Sequence, residues 1–102
     1  MLALRPNCEC CDKDLQADSS EAMICSYECT FCQTCVQDIL ENVCPNCGGG
    51  FVNRPIRPKN ARRDGVSLMF HPASTKRVNT KYSVQMLKAF VADIKNIKPQ
   101  DR

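Results

Sequence analysis

Eight of the nine cysteines in this 102-residue chain follow one compact spacing: Cys8-x2-Cys11-x13-Cys25-x3-Cys29-x2-Cys32-x2-Cys35-x8-Cys44-x2-Cys47. Three C-x2-C pairs therefore occur within fifty residues. At that spacing a tight turn can aim two thiolates at one metal ion while backbone N–H groups donate to the sulfurs. Two such pairs complete a tetrahedron, so eight ligands imply two closed four-cysteine sites. A closed site has no open position for water or substrate and is structural rather than catalytic.

The rest of the composition leaves little else to hold the first half together. With no Trp, four Phe and two Tyr, the chain cannot build a large aromatic core. A half-length segment folded on so little apolar surface needs a metal or disulfide staple. The opening residues, MLALRPNCEC, contain no apolar run long enough for an export signal, and no stretch approaches a membrane span. The expected compartment is the reducing cytoplasm, where paired cysteines act as metal ligands. An odd cysteine count also suits a disulfide framework poorly.

Charge divides the chain in two. Residues 1–50 set Arg5 and Lys13 against eight acidic residues, a net of −6, and residues 51–102 set twelve basic residues against Asp64, Asp93 and Asp101, a net of +9. Four thiolates on one divalent ion make the first half more acidic still. The halves are expected to attract each other.

Three segments follow from this reading. Residues 1–50 form the two-zinc module, closing on Gly48, Gly49 and Gly50. Within it, the spacing of Val36, Ile39, Leu40 and Val43 predicts a short helix over Cys35–Val43 with one apolar face. Met23–Tyr27 is a candidate strand. Residues 51–82 form a basic, Pro-containing arm and an irregular segment, because Pro55 and Pro58 disfavour both helix and central strand. Residues 83–98 form an amphipathic helix capped by Ser83. Val84, Leu87, Phe90 or Val91, Ile94 and Ile97 make its apolar stripe, and Lys95 and Lys98 sit in its last turn.

The order of the ligands resembles the RING cross-brace, in which the first and third pairs share one metal and the second and fourth share the other. That resemblance implies one site from Cys8, Cys11, Cys32 and Cys35 and another from Cys25, Cys29, Cys44 and Cys47. It also implies a small metal-stabilised α+β fold, a RING-like or treble-clef zinc-finger module with a short helix. A sequential pairing of the first four and last four ligands is the competing arrangement. Ubiquitin ligation does not carry over. Where RING domains that grip a conjugating enzyme have an aliphatic residue before the second ligand, this chain has Cys10, and Gly48 follows the last ligand in place of a basic residue.

Two features leave alternatives open. Cys10 is a spare thiol near the first site, a replacement for Cys8 or Cys11, or a redox-sensitive group. The run Cys29-x2-Cys32-x2-Cys35, with a later Cys44-Pro45, also looks like the ligands of a [4Fe–4S] ferredoxin. The Cys-Pro there follows after three residues, whereas here it follows after eight.

The segments LRPNCECCDKDL, ICSYECTFCQTC, CPNCGG, RPIRP and HPASTKRV together resemble a bacterial family of short Cys-rich proteins, a domain of unknown function. The resemblance covers residues 1 to about 78 and implies a bacterial cytoplasmic protein without supplying an activity.

Function is therefore expected from binding. An interaction module fits two structural sites, with a protein partner or a homodimer formed through the C-terminal helix. Nucleic-acid binding is the alternative, through Arg54, Arg57, Lys59, Arg62 and Arg63, although few aromatics interleave these charges for base stacking. No Ser-His-Asp set, phosphate loop or small-molecule site is visible. The single histidine, His71, precedes Pro72 and suits a turn. An enzyme is not expected.

Overall fold

The computed structural model describes residues 1–102. A three-stranded antiparallel sheet in the order β2-β1-β3 forms its centre. Strand β1 (Ala22–Ile24) and strand β2 (Thr30–Cys32) make a hairpin in the register Ala22↔Cys32, Met23↔Phe31 and Ile24↔Thr30. The hairpin loop is the Cys25-x3-Cys29 segment itself: Cys25 N–H donates to the Cys29 carbonyl at 3.2 Å, and Glu28 N–H to the Cys25 carbonyl at 3.0 Å. Glu28 turns the chain there with φ of 68°. Thus the strand expected near Met23–Tyr27 stops at Ile24, because Cys25 already belongs to the turn that aims its sulfur.

Strand β2 leads directly into helix α1 (Gln33–Cys35), which runs on as a π-helical turn over Val36–Leu40. The helix expected over Cys35–Val43 therefore starts two residues earlier and ends three earlier. Glu41 and Asn42, both at positive φ, stop it, and Asn42 N–H donates back to the Val36 carbonyl. Val36, Leu40 and Val43 are buried and Ile39 is half-buried, so this apolar face is the core between the two cysteine groups. Phe31 meets Phe51 edge-on at 5.4 Å and caps the same core. Such an edge-to-face pair adds about 0.5–1.5 kcal/mol beyond burial alone.

Strand β3 (Val52–Asn53) pairs with β1, so the sheet crosses the boundary expected at residue 50. The following chain is extended, as Pro55 and Pro58 require, but it lies against the first half. Ser74 N–H donates to the Ala3 and Leu4 carbonyls, and Thr80 N–H to the Glu9 carbonyl. The buried Asn7 side chain reaches the Val78 carbonyl at 2.9 Å. Three of the five ion pairs join the two halves: Arg77 with Asp12, Arg77 with Asp14, and Lys95 with Glu41. These pairs are exposed and contribute little energy individually. Their placement realises the attraction expected from the charge division.

Helix α2 (Val84–Ile94) begins where expected: the Ser83 hydroxyl accepts from Met86 N–H. It ends four residues before the expected Lys98. Lys98 is held extended by the proline that follows it, with ψ of 141°. The Ile97 amide then closes a tight turn on the Ile94 carbonyl. Leu87 and Val91 are buried against the Val36–Leu40 turn, while Val84, Phe90 and Ile97 remain partly exposed. The buried stripe therefore uses Val91 rather than Phe90.

Six of the 16 buried hydrophobic residues are cysteines. A core so rich in thiol sulfur has little hydrocarbon to close on, which makes the sulfur groups the centre of the stability question.

Candidate metal centre

The first group joins Cys8, Cys11, Cys32 and Cys35, whose sulfurs all lie within 4.8 Å of one another. Cys8 and Cys11 come from a turn in which Cys8 N–H donates to the Lys13 carbonyl and Asp12, at φ of 65°, donates back to the Cys8 carbonyl. Cys32 ends β2 and caps α1, its sulfur accepting from Cys35 N–H at 3.5 Å. The Cys11 and Cys32 sulfurs stand 3.8 Å apart.

The second group joins Cys25, Cys44 and Cys47 within the same 4.8 Å limit. Cys29 lies outside that limit but belongs to the same neighbourhood, since its thiol interacts with Cys25 and acts on Cys44. The Cys44–Cys47 turn is closed by Gly48 N–H on the Cys44 carbonyl at 2.7 Å and by Cys44 N–H on the Gly49 carbonyl at 2.8 Å. Gly48 sits at φ of 80°, a conformation that costs any L side chain.

Donors face the sulfurs in both groups. Tyr27 N–H donates to Cys25 at 3.3 Å, Gly49 N–H to Cys47 at 3.4 Å, and the Asn46 side-chain amide to Cys29 at 3.3 Å. Such N–H···S bonds favour the thiolate over the thiol and are the usual outer shell of a metal-bound sulfur. Asn46 is a residue that spacing alone did not single out, although it stands between two ligands in Cys44-Pro45-Asn46-Cys47.

Electrostatics favour a cation at both groups. Burial, followed by repulsion from Cys8, pushes the Cys35 thiol far above its ordinary range, and burial does the same to Cys44. Burial also raises Cys29 and Cys32. Cys11 moves the other way. Burial opposes the shift, but the Lys13 backbone amide and the neighbouring sulfurs of Cys8, Cys32 and Cys35 outweigh it. Sulfurs this close, all but Cys11 and Cys47 buried or nearly so, do not all ionise together without a counter-charge. The donor set fits a divalent ion that takes sulfur ligands in a tetrahedron, and the two groups can hold two ions.

Pairing follows the cross-brace and not the sequential order, since the first cysteine pair meets Cys32 and Cys35 and passes over Cys25 and Cys29. The run Cys29, Cys32 and Cys35 is divided, with only its last two members in the first group. Cys10 is in neither group. It is half-buried beside the first, where burial raises its thiol and the Cys35 sulfur opposes that shift.

The five candidate phosphate contacts separate into two sets. Arg54 is buried and donates to the carbonyls of Arg5 and Gln16, both at 2.8 Å, with its Nε unpartnered. Burial lowers the pKa of its guanidinium. Arg57 donates to the carbonyls of His71 and Leu2, both at 2.6 Å. These two cations are spent on holding the chain together. Lys59, Arg62 and Arg63 are exposed.

A family model described as a protein of unknown function (DUF1272) matches residues 1–57. The chain is 56% identical over 78 residues to an uncharacterized protein, R02474, of Rhizobium meliloti (strain 1021), covering 76% of this chain and 86% of that protein. No solved structure matches it at a significant level.

Proposed function

We propose, on the premise that the chain belongs to the DUF1272 family of proteins of unknown function, that it is a structural zinc module with two four-cysteine sites, built to present a surface to a protein partner. The observation that carries this reading is the gathering of Cys8, Cys11, Cys32 and Cys35 from two distant pairs into one sulfur group, with backbone donors around it. All-sulfur tetrahedra suit zinc, and closed ligand shells leave it a structural role on a RING-like scaffold rather than an enzymatic one. Division of the Cys29–Cys32–Cys35 run weighs against a single iron–sulfur cluster. The relative from Rhizobium supports a bacterial setting, and the paired cysteines suit the reducing cytoplasm.

The surface offered to a partner is the outer edge of α2. Met86 and Phe90 stay exposed there and, with Pro45 and Tyr82, line a shallow apolar recess over Leu87. A protein segment or a second copy of this chain fits such a recess, since helix-borne apolar anchors are a common recognition device. Metal analysis of anaerobically purified protein, with its visible spectrum, tests the metal reading. Two zinc ions per chain and no colour are expected, and iron with sulfide would overturn it. Light scattering and pull-down with Met86→Ala/Phe90→Ala test the interaction reading. It fails if the chain is monomeric and recovers the same proteins with and without those side chains.

A further inference from the structure

The loop from Pro58 to His71 inverts the usual patterning. Ser67 is buried at 1% exposure, while Val66, Met69 and Phe70 around it are exposed at 52%, 82% and 58%. The loop is nevertheless held firmly. Leu68 N–H donates to the Pro58 carbonyl at 2.8 Å and His71 N–H to the Ser67 carbonyl at 2.9 Å. The Ser67 hydroxyl accepts from Met69 N–H at 3.2 Å, and Arg57 fastens the far end through the His71 carbonyl. Backbone bonds thus turn the hydroxyl inward and three apolar side chains outward. Exposed apolar residues gathered in one place mark an interaction site.

Cations occupy the same loop. Lys59, Arg62 and Arg63 are exposed and none has a carboxylate partner, against one acid, Asp64. Lys76, Lys81, Lys88 and Lys98 are exposed and unpaired as well, but only in this loop do three such cations stand within five positions. Free cations beside protruding apolar side chains match the chemistry of a negatively charged lipid surface, where phosphates meet the cations and the acyl boundary receives the apolar groups. A protein partner would need a concave pocket for a side chain as exposed as Met69, whereas a bilayer accepts a protruding shape without one. Nucleic acid would use the cations but gain little from Val66 and Met69, which cannot stack on bases.

We propose that the Pro58–His71 loop docks the protein onto an anionic phospholipid surface, with Lys59, Arg62 and Arg63 on the headgroups and Val66, Met69 and Phe70 at the acyl boundary. The docking is peripheral and independent of the recess on α2.

Co-sedimentation of the metal-loaded full chain with phosphatidylcholine vesicles, with and without roughly one-third phosphatidylglycerol, tests this. Binding is expected only to the anionic vesicles and should weaken strongly in high salt. Arg62→Glu/Arg63→Glu should weaken it about 25-fold or more, from about fivefold per basic residue near the surface. Met69→Ser/Phe70→Ser should weaken it at least about tenfold. Lys88→Glu/Lys98→Glu, an equal charge change outside the loop, should leave binding within about twofold. All variants should retain two metal ions and the parent circular dichroism. Failure to bind anionic vesicles, or equal loss in the Lys88/Lys98 control, would overturn the assignment. So would tighter binding of a fluorescent single-stranded oligonucleotide that depends on Arg62 and Arg63 but not on Met69 and Phe70, which would give the loop to nucleic acid.

Discussion

The sulfurs of Cys11 and Cys32, twenty-one positions apart in the chain, stand 3.8 Å from each other. That contact ties the N-terminal turn to the junction of β2 and α1, and it carries the cross-brace pairing. Cys11→Ser and Cys32→Ser should therefore each remove the same ion, and the double variant should lose no more than either single. Cys25→Ser should remove the other ion, and Cys11→Ser/Cys25→Ser both. Native mass spectrometry reads this directly. Two ions lost in the Cys11/Cys32 double variant and one in the Cys11/Cys25 variant would restore the sequential pairing.

Metal removal should unfold the cysteine module. Structural zinc sites contribute about 10–16 kcal/mol of apparent binding energy each at neutral pH. No hydrocarbon core of this size can replace that. Excess chelator is expected to collapse the amide dispersion of residues 8–47 in a proton–nitrogen correlation spectrum. Dispersion that survives confirmed metal loss would contradict the claim.

Proton release should accompany metal binding. In the folded arrangement with no ion, burial holds the thiols of Cys35 and Cys44 protonated well above the ordinary value of 9.0. A bound ion needs them ionised, so protons and metal compete, and acid favours the metal-free form. Apparent affinity is expected to rise with pH through the neutral range, with up to about four protons released per ion in a weakly buffered titration. For any compact metal-free form the sign is opposite: keeping these thiols neutral, it loses stability as pH rises past 9.0, where the unfolded chain ionises first. A metal affinity that is flat from pH 6 to 8, within about twofold, would exclude thiol ligation.

The grouping of seven of the eight spaced cysteines, all but Cys29, was legible in the sequence because the geometry of each pair is local. A C-x2-C turn aims its sulfurs within four residues, and the hairpin through Cys25 and Cys29 is scarcely longer. Helix α2 was legible at its start, where Ser83 supplies a cap, but its end depended on the backbone of Lys98 ahead of Pro99. Strands β2 and β3 were not legible, because three- and two-residue strands are too short to show alternation. Nor could composition reveal which way an arginine points. Arg54 and Arg57 read as an open basic arm together with Lys59, Arg62 and Arg63. They turn inward because the carbonyls of Arg5, Gln16, Leu2 and His71 come within reach only after the chain doubles back. For the same reason the Ser67 inversion is visible only in three dimensions.

Arg54 should matter for stability and not for any external anion. Arg54→Ala removes a buried side chain and its two bonds to the part-buried carbonyls of Arg5 and Gln16, and is expected to cost about 1–3 kcal/mol. Arg54→Lys should recover only part of this, since one ammonium does not reproduce two guanidinium bonds in a fixed plane. Chemical denaturation at saturating metal measures both. An Arg54→Ala protein of parent stability would mean that the clamp to Arg5 and Gln16 contributes nothing.

Helix α2 offers the sharpest separation between packing and recognition, because Leu87 and Phe90 lie one turn apart on it with opposite fates. Leu87 is 1% exposed against the Val36–Leu40 turn, and Leu87→Ala should cost about 2–4 kcal/mol through lost burial and the cavity left behind. Phe90 is 39% exposed over the recess beside Pro45 and Tyr82, so Phe90→Ala should cost less than about 1.5 kcal/mol while removing the anchor a partner would grip. The two effects should therefore dissociate: Leu87→Ala lowers the denaturation midpoint, and Phe90→Ala keeps the midpoint near the parent but loses the partner or the dimer. If Phe90→Ala proved the more destabilising, α2 would be packing through that edge, and its recess would belong to the core rather than to a binding surface.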